Sequence, residues 1–358
     1  MSSHLNIISI DNNEKWDNIV KSFKNYDVNY LSGYARAFQM HGEGEPLLIY
    51  YDDGSNRAIN VVMKRDIAKA PQFTGKLPIN TWYDFSTPYG YGGFWIEGEG
   101  FKALNDEYSI FCQEQGIVSE FVRFHLLSNY RPHYIGTYET HTHNVIRTLE
   151  LSHDEMLRDF DHKVRKNIKR ALNNGLVVEV DDTGNKLEEF FDIYYTTMDR
   201  NNASENFHFI KQFFETINHM KDNFVYFHVL SEGKVISSEL VLYGSENCYS
   251  FLGGTNSDYF NLRPNDFLKH EIIKWAKEKG LKRFILGGGY GEDDGIYKYK
   301  KSFAPNGVCD FYIGKMIFDK NKYINLLKLR NENSEFSLKD YNIDCMSGFF
   351  PKYRESTY

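Results

Sequence analysis

The sequence has few cysteines, and none of them lies in a pair at metal-binding or redox spacing. No C-x-x-C motif occurs in its 358 residues, over which four cysteines are scattered: Cys112, Cys248, Cys309 and Cys345. This pattern is typical of reduced, packed thiols and argues against a disulfide framework or a zinc site. His141 and His143 are spaced like metal ligands, but no third ligand is near them in sequence, so we expect no metal.

Long apolar runs are also missing. No segment approaches the ~20 consecutive apolar residues that cross a bilayer, and the N-terminal MSSHLNIISIDNNEKW lacks the basic-then-apolar order of a signal peptide. We therefore expect a cytoplasmic protein without a membrane span. The formal charge of -7 argues against a protein that coats nucleic acid through bulk charge, although local basic patches are compatible with it.

Several reaction motifs are absent. Without a G-x-S-x-G nucleophile elbow, covalent acyl-enzyme chemistry is not indicated. The loop GGGYGEDDG fits neither G-x-x-x-x-G-K-[ST] nor G-x-G-x-x-G, and Glu292, Asp293 and Asp294 within it would repel a phosphate. The loop suits an ammonium group, a sugar hydroxyl or a solvated turn better than a nucleotide.

The length and the order of predicted elements favour two similar halves. With 41% hydrophobic and 25% charged residues, a chain of 358 residues is an ordinary globular α/β protein of two domains. The order helix, hairpin, strand, helix, strand occurs twice, with the hairpins at 47–64 and 224–243, which indicates an internal duplication. We place domains at 1–145 and 146–358, joined by a bridging strand at 138–150, with the C-terminal tail docked on the second domain.

The run from 263 to 303 predicts a helix, a buried strand, a glycine-rich loop and a cation. Asn265 is the expected helix cap and Gly280 the expected stop, with Lys269 pointing away from the apolar stripe, which is formed by Leu268, Ile272, Trp275 and Ala276. The strand 284–286 ends in three glycines, beyond which a ligand site is expected. Lys300 then lies on a strand or in a turn, with Tyr297, Tyr299 and Phe303 as aromatic anchors.

A strongly basic helix is predicted from 152 to 175. Ser152 and Glu155 have the spacing of a capping box, and Gly175 follows the last turn. Opposite its apolar stripe lie five cations, Lys163, Arg165, Lys166, Lys169 and Arg170. Both a solvated surface and a site for an anion such as a diphosphate or an RNA backbone fit this pattern.

The chain resembles the C-terminal half of FemABX-type peptidoglycan aminoacyltransferases and, equally, the CelD/BioF-like acetyltransferase domains of the GNAT superfamily. The resemblance covers about 154–320 and is carried by four segments in this order: DHKVRKNIKRALNNGL, FDIYYTTMDRNNASENFHF, GGTNSDYFNLRPNDFLKHEIIKWAKEKGLKRFILGGG and GIYKYKKSF. It implies tandem GNAT folds, each a mixed, mostly antiparallel sheet flanked by helices. The first half agrees mainly in layout and in TPYGYGG, which contains Tyr89.

The resemblance also implies site residues. The family's aromatic-Lys-x-x-Phe motif falls on Tyr299, Lys300 and Phe303, which makes Lys300 the residue that stabilises negative charge during acyl transfer. By the same resemblance Arg200 contacts substrate and Tyr249 lines the channel. The basic helix around Arg165 and Lys166 would hold the acidic part of a substrate, and Tyr89 is a further candidate for substrate binding.

The implied function is direct transfer of an acyl or aminoacyl group to an amine of a cell-envelope or surface-polysaccharide precursor. The donor is either an acyl-CoA or an aminoacyl-tRNA: the GNAT pyrophosphate loop Q/R-x-x-G-x-G/A is missing, but so is the coiled-coil arm that several tRNA-dependent relatives carry. The alternative is a duplicated GNAT scaffold that binds a glycan or peptide through its tyrosines without catalysis. The sequence predicts no oligomeric state.

Overall fold

The fold is that of a computed structural model, which describes residues 4–289, 291, 294–330, 346 and 348–355. The chain forms two compact units. The first unit contains 4–23, 29–141 and the described residues from 311 onward; the second contains 24–28 and the described residues of 142–310. Glu292, Asp293 and Cys345, which are named above, lie outside the described residues.

The elements alternate as the sequence predicted, with short 3-10 turns between some of them. In the first half of the chain they are β1 (Leu5–Ser9), α1 (Asn13–Lys21), α2 (Ser32–Met40), β2 (Glu45–Asp52), β3 (Arg57–Asp66), β4 (Tyr83–Ser86), β5 (Trp95–Glu97), α3 (Lys102–Glu114), β6 (Ile117–Arg123) and β7 (Thr137–Thr148). In the second half they are α4 (His153–Asp159), α5 (His162–Asn173), β8 (Val177–Asp181), α6 (Leu187–Arg200), α7 (Lys211–Asn218), β9 (Phe224–Ser231), β10 (Lys234–Tyr243), β11 (Asn247–Thr255), α8 (Pro264–Glu278), β12 (Arg283–Gly287), α9 (Gly295–Lys301), β13 (Val308–Ile317) and α10 (Lys320–Arg330).

The two units repeat one strand order. In the first unit the order is β1-β2-β3-β4-β6-β13, and in the second it is β8-β9-β10-β11-β12-β7. In both, neighbouring strands are antiparallel except for one parallel pair, β4 with β6 and β11 with β12, which α3 and α8 connect. The α/β fold class with a mostly antiparallel sheet and the predicted duplication are therefore confirmed.

Both predicted hairpins are present, and the residues of their turns explain them. In the second hairpin Glu232 and Gly233 both have positive φ angles, 50° and 81°, as a two-residue turn between twisted strands requires. In the first, the carboxylate of Asp53 accepts hydrogen bonds from the backbone N–H groups of Ser55 and Asn56. Local turn chemistry therefore determines the register of both hairpins.

The described residues from Phe311, within β13, onward belong to the first unit and not, as expected, to the second half. Strand β13 pairs with β6 from Ile313 to Ile317. Phe350 and Tyr353 of the tail are buried against Tyr323 of α10. These contacts join residues far apart in sequence, which a local pattern does not reveal.

The basic helix predicted at 152–175 is interrupted. The capping box of Ser152 and Glu155 is present, but α4 ends at Asp159 and α5 starts at His162. Between them the N–H of Asp161 donates to the carbonyl of Ser302 over 2.9 Å, and this contact replaces a bond within the helix. The prediction of one continuous helix was wrong for this reason.

Helix α8 begins two residues earlier than predicted, with its cap at Arg263 instead of Asn265. Pro264 is its first residue and Arg263, in the left-handed region at φ 65°, precedes it. The side chain of Asn265, the predicted cap, accepts instead a hydrogen bond from the hydroxyl of Thr255. The predicted stop at Gly280 is confirmed, with φ 83° just after the helix.

None of the helices in the described part of the chain has the length and apolarity that spanning a bilayer would require.

Candidate active site

Lys300 lies on α9, which follows the glycine-rich end of β12 in the sequence. The carboxylate of Asp294 caps this helix: it accepts hydrogen bonds from the N–H of Tyr297 (2.6 Å) and of Gly291 (3.2 Å). A Cβ at Gly289 would lie within 2.6 Å of this carboxylate, so the Asp294 side chain would have to move from its capping position. The predicted strand or turn around Lys300 is instead a helix, because Asp294 supplies an N-terminal cap.

The Lys300 side chain is half-buried, and its Nζ atom donates a hydrogen bond to the carbonyl oxygen of Gly288 over 2.6 Å. Burial and, next, the positive charge of Lys269 lower the pKa of the Lys300 amine from 10.5 to about 8; Glu239 and Asp294 act in the opposite direction. An amine with this pKa gains and loses its proton close to neutral pH. Such an amine suits a site where charge develops or a proton moves.

Aromatic rings hold α9 in place. Phe303 is fully buried, and its ring packs edge-on against those of Tyr299 and Phe160, with centroids 5.2 Å and 5.4 Å away. Tyr297 is also buried. These contacts fix the backbone on both sides of Lys300, so its amine is positioned before any substrate arrives.

Strands β11 and β12 are parallel but pair only over their first residues. The pairing runs from Asn247 with Arg283 to Tyr249 with Ile285. Beyond this point β11 continues to Thr255 along β10, whereas β12 turns away at Gly287, which pairs with Val145 of β7. The carboxyl ends of the two strands therefore lie at an unpaired edge, the place where ligands bind in α/β sheets.

Arg200, at the end of α6, lies beside the carboxyl end of β11. Its guanidinium donates to the carbonyl of Thr255 (3.0 Å) and to the hydroxyl of Thr197 (3.4 Å), and it lies 5.1 Å from the ring centroid of Phe260. The residue is otherwise exposed. The structure thus brings Arg200 and Lys300 to the ends of adjacent strands. Some guanidinium N–H groups of Arg200 have no partner among the described residues and could bind a carboxylate or phosphate.

A buried ion pair lies beside this edge. Lys269 of α8 donates from Nζ to the carboxylate of Glu239 on β10 and to the hydroxyl of Ser250 on β11. Lys269 and Glu239 are each only 6% exposed. Lys269, which was expected to point away from the apolar stripe, is instead buried, because Glu239 offers it a partner inside the core.

A known protein family matches the part of the chain that contains these residues. Residues 158–301 match the model of the acetyltransferase (GNAT) domain. The region is a GNAT domain. It contains Arg200, Lys269 and Lys300. It also contains the parallel strands β11 and β12, whose pairing ends before their carboxyl ends.

Curated relatives support the resemblance to FemABX-type proteins, which is confirmed. The UDP-N-acetylmuramoylpentapeptide-lysine N(6)-alanyltransferase of Weissella viridescens is 27% identical over 178 residues, 47% of this chain and 51% of that protein. The lipid II:glycine glycyltransferase of Staphylococcus haemolyticus is 25% identical over 26% of this chain and 22% of that protein. The matches thus span about half of the first relative and about a fifth of the second.

Solved structures agree with the fold over most of the chain. FemX superposes with a TM-score of 0.64 at 16% identity, covering 88% of this chain and 98% of that one. L-PGS from Bacillus licheniformis reaches 0.53 at 12% identity, covering 88% and 95%. At these identities the likeness concerns the fold alone, and it agrees with a GNAT-like arrangement of strands.

Tyr249 lies in the same GNAT domain as Lys300 but has different contacts. Its hydroxyl donates to the carboxylate of Asp27 over 2.7 Å, and the residue is 5% exposed. The next residue, Ser250, points to the opposite face of the sheet, toward Lys269. The contacts of Tyr249 therefore tie the segment 24–28 to β11, and its predicted place in the channel stays a prediction.

The two predicted cations of α5 differ from each other. Arg165 is half-buried, and its guanidinium donates to the carbonyls of Arg158 and Phe160 at the end of α4, which stabilises the break between the helices. Lys166 is exposed, as are Lys163, Lys169 and Arg170. The exposed four form the cationic stripe of α5; Arg165 has a structural partner.

In the first unit, Tyr89 lies in the TPYGYGG segment, which follows β4 and extends its pairing with β6. Strands β4 and β6 pair up to Ser86 and Phe121, and the segment then continues along β6, with the N–H of Gly92 donating to the carbonyl of Arg123 over 2.7 Å. Tyr89 is 38% exposed, and its N–H donates to Glu43. Its role in substrate binding stays a prediction.

No group of three or more His, Cys, Asp and Glu side chains that could hold a metal occurs in the described part of the chain. Nδ1 of His143 lies 3.1 Å from a carboxylate oxygen of Asp310.

Proposed function

We propose that the chain is an aminoacyltransferase that moves an aminoacyl group from an aminoacyl-tRNA to an amine of a cell-wall precursor, without a covalent enzyme intermediate. One observation carries this proposal: the Lys300 amine, with its lowered pKa, is held at the unpaired edge of β11 and β12 in the GNAT domain. Both curated relatives described above are named as transferases of an amino acid to a peptidoglycan precursor.

The reaction forms one bond and breaks one. The acceptor amine attacks the ester carbonyl of the donor, the C–N bond forms, and negative charge builds on the carbonyl oxygen. The Lys300 ammonium stabilises this charge and gives its proton to the leaving ester oxygen as the C–O bond breaks. The proton released by the new amide nitrogen restores Lys300, so no proton is gained or lost by the enzyme.

The surrounding cations bind the substrates. Arg200 lies beside the end of β11, and those of its N–H groups that have no partner in the described part of the chain fit a carboxylate or phosphate of donor or acceptor. The exposed stripe of α5, formed by Lys163, Lys166, Lys169 and Arg170, fits a phosphate backbone. The N-terminus of α5 is next to α9, since Asp161 donates to Ser302, so the stripe belongs to a helix that adjoins the helix of Lys300.

The sequence and the relatives both favour an aminoacyl-tRNA ester as the donor over a coenzyme A thioester. A coenzyme A pyrophosphate requires the glycine-containing loop before α8, and this chain has Asn256 to Arg263 there, without that motif. An acceptor amine bound beside Lys300 would react with an ester or with a thioester. Which donor is used therefore depends on the residues that bind the donor and not on the chemical step.

A donor comparison tests the proposal. Purified protein is supplied with alanyl-tRNA, glycyl-tRNA or acetyl-CoA, and with UDP-MurNAc-pentapeptide or lipid II as acceptor, and amide formation is followed by mass spectrometry. We expect product from a charged tRNA and from neither component alone. Transfer from acetyl-CoA only would replace the proposed donor, and absence of transfer to every acceptor would favour the binding-protein alternative.

A further inference from the structure

We infer that the first unit contains a binding site for a phosphate or diphosphate group, formed by Arg123 at the end of β6 and Arg65 on β3, with Arg354 of the tail beside them. All three residues belong to this unit. The inference goes beyond the function proposed above and does not depend on it, because no residue of the GNAT domain takes part.

Arg123 is a half-buried arginine without an ionic partner in the described part of the chain. Its guanidinium donates to the carbonyl of Thr87 over 3.2 Å and lies 3.5 Å from the hydroxyl oxygen of Ser86, and both of these groups are neutral. No carboxylate of the described residues lies within 4 Å of it. A charge that is partly removed from water is costly without a counter-ion, so an anion bound here would stabilise Arg123.

Strand β4 brings Arg65 close to Arg123. Arg65 lies opposite Asp84 in the register of β3 and β4, and its Nε atom donates to the Asp84 carboxylate over 2.6 Å. Ser86, which Arg123 contacts, is two residues further along β4 and points to the same face of the sheet. The two guanidinium groups are therefore anchored at side chains about 7 Å apart along one strand. A phosphate or diphosphate group between them can contact both.

The carboxylate of Asp84 does not neutralise these arginines. Asp84 is fully buried; its Oδ1 atom accepts from Arg65, and its Oδ2 atom accepts from Arg354 and from the Tyr353 hydroxyl. One carboxylate thus serves two guanidinium groups. The Nη2 atoms of Arg65 and Arg354 are buried and have no hydrogen-bond partner among the described residues. The arginines therefore have more N–H donors than this part of the chain has acceptors for them.

Glu43 is a second acid whose charge acts on Arg123 and Arg65. Its carboxylate accepts a hydrogen bond from the N–H of Tyr89 over 3.1 Å. Burial raises the pKa of Glu43 although both arginines act in the opposite direction, as expected of a carboxyl group without a close cation. Even with Glu43 and Asp84 both ionised, three arginines face two carboxylates, so a positive charge is left over.

The location and the exposure of the arginines suit a ligand. Arg123 ends β6, which is parallel to β4, and ligands bind at the carboxyl ends of parallel strands in α/β sheets. The side chains of Arg65 and Arg354 are 26% and 17% exposed, so solvent reaches them. Guanidinium groups match the oxygens of a phosphate. A phosphate also carries more charge than a carboxylate and so compensates the arginines better.

Calorimetric titration of the full chain tests the site with four probes at low ionic strength: UDP, pyrophosphate, inorganic phosphate and acetate. We expect the phosphate compounds to bind, and acetate to bind at least about tenfold more weakly than pyrophosphate. Tighter binding of UDP and pyrophosphate than of phosphate would identify a diphosphate compound as the ligand, and equal affinities would identify free phosphate; both results support the site. Acetate binding as tightly as phosphate, or no binding of any phosphate compound, overturns the inference.

Variants locate the binding. Arg123→Gln should weaken binding of pyrophosphate about tenfold or more, and Arg123→Lys should fall between this variant and wild type, because the charge remains but the fork of donors is lost. Arg131→Gln is the matched control: Arg131 is a half-buried arginine of the same unit, but it lies 3.5 Å from the ring centroid of Tyr312. Unchanged binding in Arg123→Gln, or binding lost only in Arg200→Gln, overturns the inference.

A measurement on wild type needs no folded variant. Phenylglyoxal modifies arginines, and mass spectrometry gives the extent of modification at each of them with and without pyrophosphate. Pyrophosphate should protect Arg123 and Arg65 and leave Arg131 as reactive as before. Equal modification of Arg123 with and without pyrophosphate overturns the inference.

Discussion

The Nζ atom of Lys300 lies 2.6 Å from the carbonyl oxygen of Gly288, so the amine of α9 is held by the last residues of the neighbouring strand. A hydrogen bond to a carbonyl leaves the other N–H bonds of an ammonium free for a developing oxyanion. The Gly288 carbonyl thus orients the side chain without neutralising its charge, as a carboxylate partner would.

Arg200 is predicted to act in substrate binding. Arg200→Gln should raise KM for one substrate about fivefold or more with a smaller change in kcat, since a charge-assisted hydrogen bond contributes about 1 to 3 kcal/mol. Arg200→Lys should fall between this variant and wild type, because the charge remains but the fork of donors is lost. If Arg200→Gln had the wild-type KM for each of the two substrates, Arg200 would have no role in substrate binding.

The cationic stripe of α5 is predicted to bind a phosphate backbone. Removing three of its exposed charges, in Lys166→Gln/Lys169→Gln/Arg170→Gln, should weaken binding of charged tRNA and reduce the slope of log K against log salt by about 0.7 to 0.9 for each lost phosphate contact. Lys15→Gln/Lys21→Gln, on exposed positions of α1, serves as the control. Identical salt slopes in all three proteins would show that the stripe is only a solvated surface.

Gly254 is predicted to tolerate no side chain. A Cβ there would lie 2.5 Å from the hydroxyl of Thr197 and 2.7 Å from the carbonyl of Ile193, so Gly254→Ala should push α6 away from β11 and cost about 1 to 3 kcal/mol. Because Arg200 ends α6, KM should change as well. Gly295→Ala is the matched control, since nothing lies within 4 Å of its Cβ. Equal urea midpoints for the two variants would contradict the prediction.

The buried carboxyl group of Glu120 predicts how stability depends on pH. Burial raises its pKa from 4.5 to about 7, opposed by a hydrogen bond from the Tyr108 hydroxyl. The folded state therefore binds the proton more tightly than the unfolded state. Stability is highest below pH 4.5 as far as this group is concerned, falls as the pH rises toward 7, and stays lowered above it.

Glu120→Gln removes this penalty while keeping an acceptor for Tyr108. The variant should be more stable than wild type by about 3 kcal/mol at pH 8, and the difference should vanish near pH 4. Urea unfolding followed by circular dichroism at both pH values measures this. A stability difference that does not change with pH would show that Glu120 has the same pKa in the folded and unfolded states.

Local patterns predicted much of the fold. Both hairpins, at 47–64 and 224–243, were predicted, and the capping box at Ser152 predicted the start of α4. These features depend on neighbours within a few residues. The return of β13 to β6 and the contact of Asp161 with Ser302 depend on residues far apart in the chain, so the position of the last segment and the break after α4 were missed.

The site was predicted in part. Lys300 was singled out by its motif, but its helix and its partner Gly288 were not, because the cap at Asp294 was interpreted as one of three repelling acids. The pair of Lys269 and Glu239 was missed entirely. The position of Glu239 among Leu240, Val241 and Leu242, all buried, is the signal in the sequence that an internal cation was needed.

If the Lys300 amine carries the transfer, its loss should slow the chemical step itself, which single-turnover kinetics of two matched variants measure. Lys300→Met and Lys298→Met each remove one lysine from the same helix, but only Lys300 is bonded to Gly288, while Lys298 is exposed. Aminoacyl transfer from charged tRNA is followed at saturating acceptor, with circular dichroism as a check on folding. We expect a loss of at least about a hundredfold in rate for Lys300→Met and wild-type rates for Lys298→Met. Equal rates for the two folded variants would contradict this role of Lys300.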